Sequence, residues 1–219
     1  GLTFLSGLLG TGHHYYYIGV NKIWLIVGGI FSALEPLAFL AMALFAVYMY
    51  RKGEKSHPNK IALFWTIGAS IVSFIGAGLL GFAHTLPQTN IYTHGTLVTA
   101  MHGHYAFWGA YAMIVLAIIS YALPNITGRK LYDSTRGHMA FWLSNIGMLG
   151  MTVAFGVAGV AQVYMERKMK MDFMDVQNEI SIHFVVLLLC ATLFTTGITL
   201  YILEFIKYGK PTDEALVKE

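Results

Sequence analysis

The sequence predicts an all-α fold, a polytopic bundle of membrane-spanning helices, on three observations. Hydrophobic residues make up 56% of the chain and charged residues only 11%. The mean hydropathy is +0.60. The few charges collect between long apolar blocks, and a spanning helix needs about 20 mostly apolar residues to cross roughly 30 Å of hydrocarbon. With no water there to satisfy the backbone, a segment must meet its own N–H and C=O groups, which a helix does. No strand alternation, low-complexity run or soluble domain accompanies these blocks, so 1–219 reads as a single transmembrane domain.

The first element is partial, near 1–17, and opens as "GLTFLSGLLGTGHHYYY" without Met, charged leader or small-residue cleavage site. It reads as the C-terminal part of a longer polytopic chain, cut in or just before a helix. Five full blocks follow, near 22–50, 59–84, 94–123, 138–164 and 180–207, with a tail at 208–219. The solitary Cys190 falls inside the last block, which excludes a disulfide framework or a CxxC motif and leaves packing as its role. Glycine spacings such as Gly78 to Gly81 suit close helix packing.

The loops orient the bundle. Arg51, Lys52 and Lys55 share one loop, Arg129, Lys130 and Arg136 the next but one, and Lys207 and Lys210 follow the last block. Lys and Arg favour the cytoplasmic side. Of the opposite loops, "TLPQTNIYT" has no charge, and in "MERKMKMDFMDVQNE" Arg167, Lys168 and Lys170 are offset by acids. The net charge of +3 is then a positive-inside bias and implies no nucleic-acid partner.

Four histidines now share one depth. His102 and His104 lie two to three turns below the outer surface in the block that starts near His94, and His13 and His14 lie within about two turns of the same surface. Polar groups in hydrocarbon are expensive and usually functional. At 100° per residue, His102 and His104 point about 200° apart, so one helix can hold a different metal centre on each flank. Gly103 between them leaves room for large planar groups. His13 and His14 point about 100° apart, and Gly10 and Gly12 let the helix loosen so that both reach one ion. Imidazole suits haem iron, non-haem iron and copper alike, so spacing does not choose the metal. For His84, His94 and His183 a hydrogen bond to a neighbouring helix or an interfacial position is the expectation. Tyr15, Tyr16 and Tyr17 read as belt or helix-interface residues.

Glu35, in "IFSALEPLAFLAMALF", is the other anomaly. Pro36 frees the Ser32 carbonyl by removing a helix hydrogen bond. A carboxyl group at this depth suits a group that takes and gives protons. The simpler alternative is an acid paired to a serine or backbone group at a kink.

Together "GTGHHYYYIG", "FSALEPLAF", "GFAHTL", "YTHGT" and "HGHYAFWGAYAMI" resemble the large catalytic subunit of respiratory nitric oxide reductases, members of the haem-copper oxidase superfamily. The resemblance covers nearly the whole chain and corresponds to the last six of that subunit's twelve helices. It implies His13 and His14 as ligands of a non-haem iron, His102 as the proximal ligand of high-spin haem b3, and His104 as an axial ligand of low-spin haem b. It implies Glu35 in proton supply, and His94, Thr96 and Thr85 as contacts of haem propionates. The remaining ligands would come from earlier helices, so this chain alone is expected to be inactive. The implied reaction is reduction of two NO molecules to N2O and water. The run "HGHYAFWGAYA" looks like the cytochrome c-dependent type, whose partner would be a cytochrome c-type small subunit or another electron donor. The implied location is the bacterial inner membrane, among its lipids, with the ligands toward the outer face and the C-terminus cytoplasmic. Two other readings stay open: an oxygen-reducing terminal oxidase with copper at His13 and His14, and a non-catalytic b-type cytochrome.

Overall fold

A computed structural model of the chain describes residues 2–53, 59–128 and 134–207. Among them every regular element is helical. Five stretches are long and apolar enough to cross a membrane: Lys22–Lys52, Lys60–Thr85, Leu97–Thr127, Thr135–Lys168 and Ser181–Glu204. At 1.5 Å per residue even the shortest, with 24 residues, exceeds the hydrocarbon thickness. The side chains that these helices turn outward are large and apolar, with Leu44, Ile118, Val160 and Leu188 all more than half exposed. The chain is therefore a multi-pass helical membrane bundle.

Backbone chemistry shapes each span. α1, Leu2–Gly10, tightens into a 3-10 turn over Thr11–Tyr15. The first span is two helices, α2 (Lys22–Ser32) and α3 (Glu35–Lys52), broken at Ala33 and Leu34. Pro36 in the first turn of α3 explains the break, since proline has no N–H and starts a helix well but continues one badly. The second span runs from α4, Lys60–Ser73, through a π-helical stretch at Phe74–Leu80 into α5, Gly81–Thr85. A short α6, Pro87–Thr93, occupies what reads in sequence as a loop, again with proline in its first turn.

The third span begins at Leu97 and not at His94. Gly95 has φ +72°, a turn that favours glycine, and Thr96 caps the new helix by accepting from the Val98 N–H. This span comprises α7 (Leu97–Phe107), a π turn at Trp108–Ala112 and α8 (Met113–Thr127), ending at Gly128 in the left-handed region. α9, Ser134–Val163, extends through a π turn at Tyr164–Lys168. α10, Phe173–Glu179, and α11, Ser181–Lys207, complete the described chain. Lys55, Arg129, Lys130, Lys210 and the tail 208–219 lie outside the described residues.

Each span packs on the next: α3 on α4 and its π stretch, α4 on α8, α7 on α9, and α9 on α11. Trp65 and Met113 are fully buried in the core this creates, and Trp65 meets Trp108, Phe141 and Tyr201 edge to face at 6.0, 5.1 and 5.7 Å. Polar pins close the end of the bundle that holds Arg51. Asn59 donates to the Ser120 carbonyl at 2.8 Å, Ser120 and Tyr201 share a hydroxyl bond at 2.9 Å, and Arg136 pairs with the buried Glu204 at 3.6 Å. Half-buried Cys190 packs against Gly150 of α9.

Candidate metal centre

The site is built at the opposite end, where the 3-10 turn after α1 is tied to α5 and α5 packs on α7. His13 and His14 sit in the 3-10 turn, which winds more tightly than an α-helix, where the sequence suggested loosening. Gly12 is buried against Trp24 and Gly28 of α2, a close approach that no side chain would permit. The two rings nonetheless face one another, with centroids 4.1 Å apart.

Ser32 fixes the chemistry of His13. This fully buried hydroxyl donates to the Gly10 carbonyl at 3.2 Å and is bonded to His13 Nδ1. A serine has one proton, so once it is given to Gly10 the hydroxyl oxygen can only accept from His13. His13 Nδ1 therefore carries the proton and Nε2 the lone pair. This is the form in which imidazole binds a metal, its other nitrogen held by an outer partner.

His102 has the same arrangement from another source. Its Nδ1 donates to the Gly76 carbonyl at 3.0 Å. Gly76 lies in the π stretch, and α7 passes so close that a Cβ on it would meet the Tyr105 carbonyl at 2.8 Å. π turns break the regular hydrogen-bond ladder and are frequent at functional sites. His102 also lies over Gly81 and within electrostatic reach of both His13 and His14.

His104 leaves the opposite flank of α7. It is exposed, its Nδ1 donates to its own helix at Ala100 at 2.8 Å, and its ring lies 4.9 Å from that of Phe155 on α9. Its Nε2 is likewise left with the lone pair. Gly103 between the two histidines is exposed, and a Cβ built on it would meet nothing within 4 Å. Among the described residues no three His, Cys, Asp or Glu side chains form a group able to hold a metal.

The donor set still fits haem and a further ion. Each of three imidazoles has its Nδ1 proton committed and its Nε2 available, and open space flanks Gly103 for flat groups. His13 and His14 would supply two ligands to an ion that needs more.

Glu35 starts α3 half-buried, and its carboxyl lies with the Ser32 hydroxyl over the face of Gly10. It makes no hydrogen bond within the described residues. The serine bonded to His13 thus has the acid as a neighbour over Gly10, although the break at Ala33 and Leu34 puts Ser32 and Glu35 on different helices.

The rim carries Thr85, Thr96 and His94. The hydroxyl protons of Thr85 and Thr96, both buried, go to the carbonyls of Phe82 at 2.8 Å and Thr93 at 2.7 Å. His94 is exposed, its ring 4.2 Å from that of Tyr17, and its carbonyl accepts from Arg167 at 3.3 Å. Tyr16, read in the sequence as a belt or helix-interface residue, ties the histidine turn to α5 by donating to the Thr85 carbonyl. Buried Gln162 accepts from the Leu97 N–H at 2.9 Å and so anchors the start of α7. His183 bonds the Ile180 carbonyl at 3.1 Å, away from the site.

Comparison with known proteins gives this geometry a family. The chain is 42% identical over 217 residues to a nitric oxide reductase subunit of Stutzerimonas stutzeri, an alignment that covers 95% of this chain and 46% of the relative. It thus spans about half the length of that protein. A model of the family described as cytochrome c and quinol oxidase polypeptide I matches residues 1–203. With the histidine-bearing turn, α5 and α7 all inside the matched region, the chain belongs to the cytochrome c and quinol oxidase polypeptide I family of the haem-copper oxidase superfamily.

Proposed function

We propose that this chain forms part of the catalytic subunit of a nitric oxide reductase, in which two NO, two electrons and two protons give N2O and water. The observations that carry the reading are that His13 and His14 lie ring to ring within electrostatic reach of His102, while His104 leaves the other flank of α7. The identity to a nitric oxide reductase subunit supports it from a separate direction.

In this reading His13 and His14 hold a non-haem iron, His102 holds haem b3 and His104 holds low-spin haem b. These groups, when bound, supply the redox chemistry and the electron path. The chain's own residues orient and insulate them. Ser32 and the Gly76 carbonyl hold the ligand rings in the metal-binding tautomer, and α7 sets two haem sites with a single residue between them in sequence, which shortens electron transfer between them. Glu35, beside Ser32, takes and gives protons at its carboxyl oxygens. His94 at the rim meets a propionate carboxylate.

The exposed faces of His14 and His104 are where further helices of a longer subunit supply the remaining ligands. Electrons arrive from a cytochrome c-type small subunit or an equivalent donor. The membrane is the bacterial inner membrane, with Arg51 and Arg136 on the cytoplasmic side and the ligands toward the outer face. Protons then need not cross the full bilayer.

Metal analysis of the intact protein with its accompanying chains tests this. The expected content is two haem b and one further iron for each copy. Copper in place of the further iron would make the protein an oxygen-reducing oxidase, and haem alone would make it an electron-transfer cytochrome. Replacing His13 or His14 with Ala should lower iron relative to haem and abolish NO consumption.

A further inference from the structure

We propose that His84 is a positioning residue for His102: its ring, stacked on the His102 imidazole, fixes the plane in which that imidazole meets its metal. The inference rests on the assignment of His102 as the ligand of the high-spin haem. The two rings are 5.0 Å apart between centroids and inclined by 23°. A histidine ring is free to turn about the bond that joins it to Cβ, because that torsion is broad and not held in a staggered well. The hydrogen bond from Nδ1 to the Gly76 carbonyl pins one atom of the His102 ring and leaves the ring able to rock about that point. A flat group along one face removes this freedom.

His84 is itself held firmly enough to serve. Its Nδ1 donates to the Leu80 carbonyl at 3.0 Å, and its own carbonyl accepts from Asn90 at 2.8 Å. The next carbonyl, that of Thr85, accepts from Tyr16. Its Nε2 is buried and has no hydrogen-bond partner among the described residues. With one nitrogen bonded inside its own helix and the other facing no donor, His84 does not bridge to a neighbouring helix. What it presents to its surroundings is its face. A functional metal site needs ligand orientation held to about 10–20°, and packing of this kind supplies it.

The test uses the intact enzyme in its membrane with both haems bound. His84→Phe keeps a flat ring and gives up the nitrogens, whereas His84→Ala gives up both. Two quantities are read: the iron–histidine stretching band of the reduced high-spin haem in the resonance Raman spectrum, and the ratio of high-spin to low-spin haem. The expected result is a wild-type band and ratio in His84→Phe. In His84→Ala the band should be displaced and broadened and the high-spin haem held roughly 10-fold less tightly, with the low-spin haem unchanged. Should His84→Ala fail to accumulate, His84→Leu, which fills the space without a flat face, carries the same expectation. A wild-type band in the Ala or Leu variant overturns the proposal, as does a Phe variant as damaged as Ala. His102→Ala separates this from the underlying assignment: a high-spin band that survives that substitution shows that His102 is not the ligand, whatever His84 does.

Discussion

Replacing Ser32 with Ala removes a single oxygen and should loosen the ion that the proposed function places on His13 and His14. The hydroxyl is fully buried and makes two bonds, donating to Gly10 at 3.2 Å and accepting from His13 Nδ1. Without it the Gly10 carbonyl loses its side-chain donor, and the His13 ring keeps neither its orientation nor its tautomer. A ring released in this way populates the Nε2–H form, whose metal-facing nitrogen has no lone pair to give. Loss of such an outer partner typically lowers metal affinity 10–100-fold, or about 1.4–2.8 kcal/mol. The assay is iron retention, with both haems counted as internal standard, during equilibration with increasing chelator. The chelator concentration that removes half of the non-haem iron should fall by at least about tenfold in Ser32→Ala. Ser70→Ala is the control. That serine is also buried, but its hydroxyl bonds the Thr66 carbonyl one turn back in its own helix at 3.1 Å, away from the histidines. Equal iron retention in Ser32→Ala and the wild type would refute the tautomer argument and reduce Ser32 to a packing residue.

The other predictions concern the acid, the two flanks of α7 and its seat. Glu35→Gln should retain both haems and the non-haem iron yet slow NO consumption greatly, because the amide keeps the shape and cannot carry a proton; near-normal turnover would sink the proton role. His104→Ala should erase the low-spin haem signal and spare the high-spin one, and His102→Ala the converse, as optical and spin-resonance spectra report. Loss of the same haem in both variants would count against separate flanks. Gly76→Ala drives a methyl to within 2.8 Å of the Tyr105 carbonyl and must push α7 away. We expect a destabilisation of about 1–3 kcal/mol, measured by thermal unfolding, with high-spin haem lost before low-spin.

Much of the architecture was legible because hydrocarbon is a strict solvent. Apolar length alone marked five spans, and the structure begins and ends them within a few residues of the blocks, except where local chemistry intervenes. Thr96 and the left-handed Gly95 start the third span late. Pro87 turns a nominal loop into α6, and the Pro36 break divides the first span in two. Periodicity likewise placed His102 and His104 on opposite flanks, since that depends only on the helix's own geometry.

What the sequence by itself determined was therefore whatever one helix and its solvent decide: the number of apolar spans and the flank of α7 from which His102 and His104 each leave. The tertiary structure decided which groups complete those imidazoles. Ser32 reaches His13 from 19 residues away, the Gly76 carbonyl reaches His102 from 26, and His84 meets the face of His102 across a helix contact. Such pairings depend on the axial offset and rotation between two packed helices. A π turn or a 3-10 turn resets both by a fraction of a turn, and no local pattern carries that information.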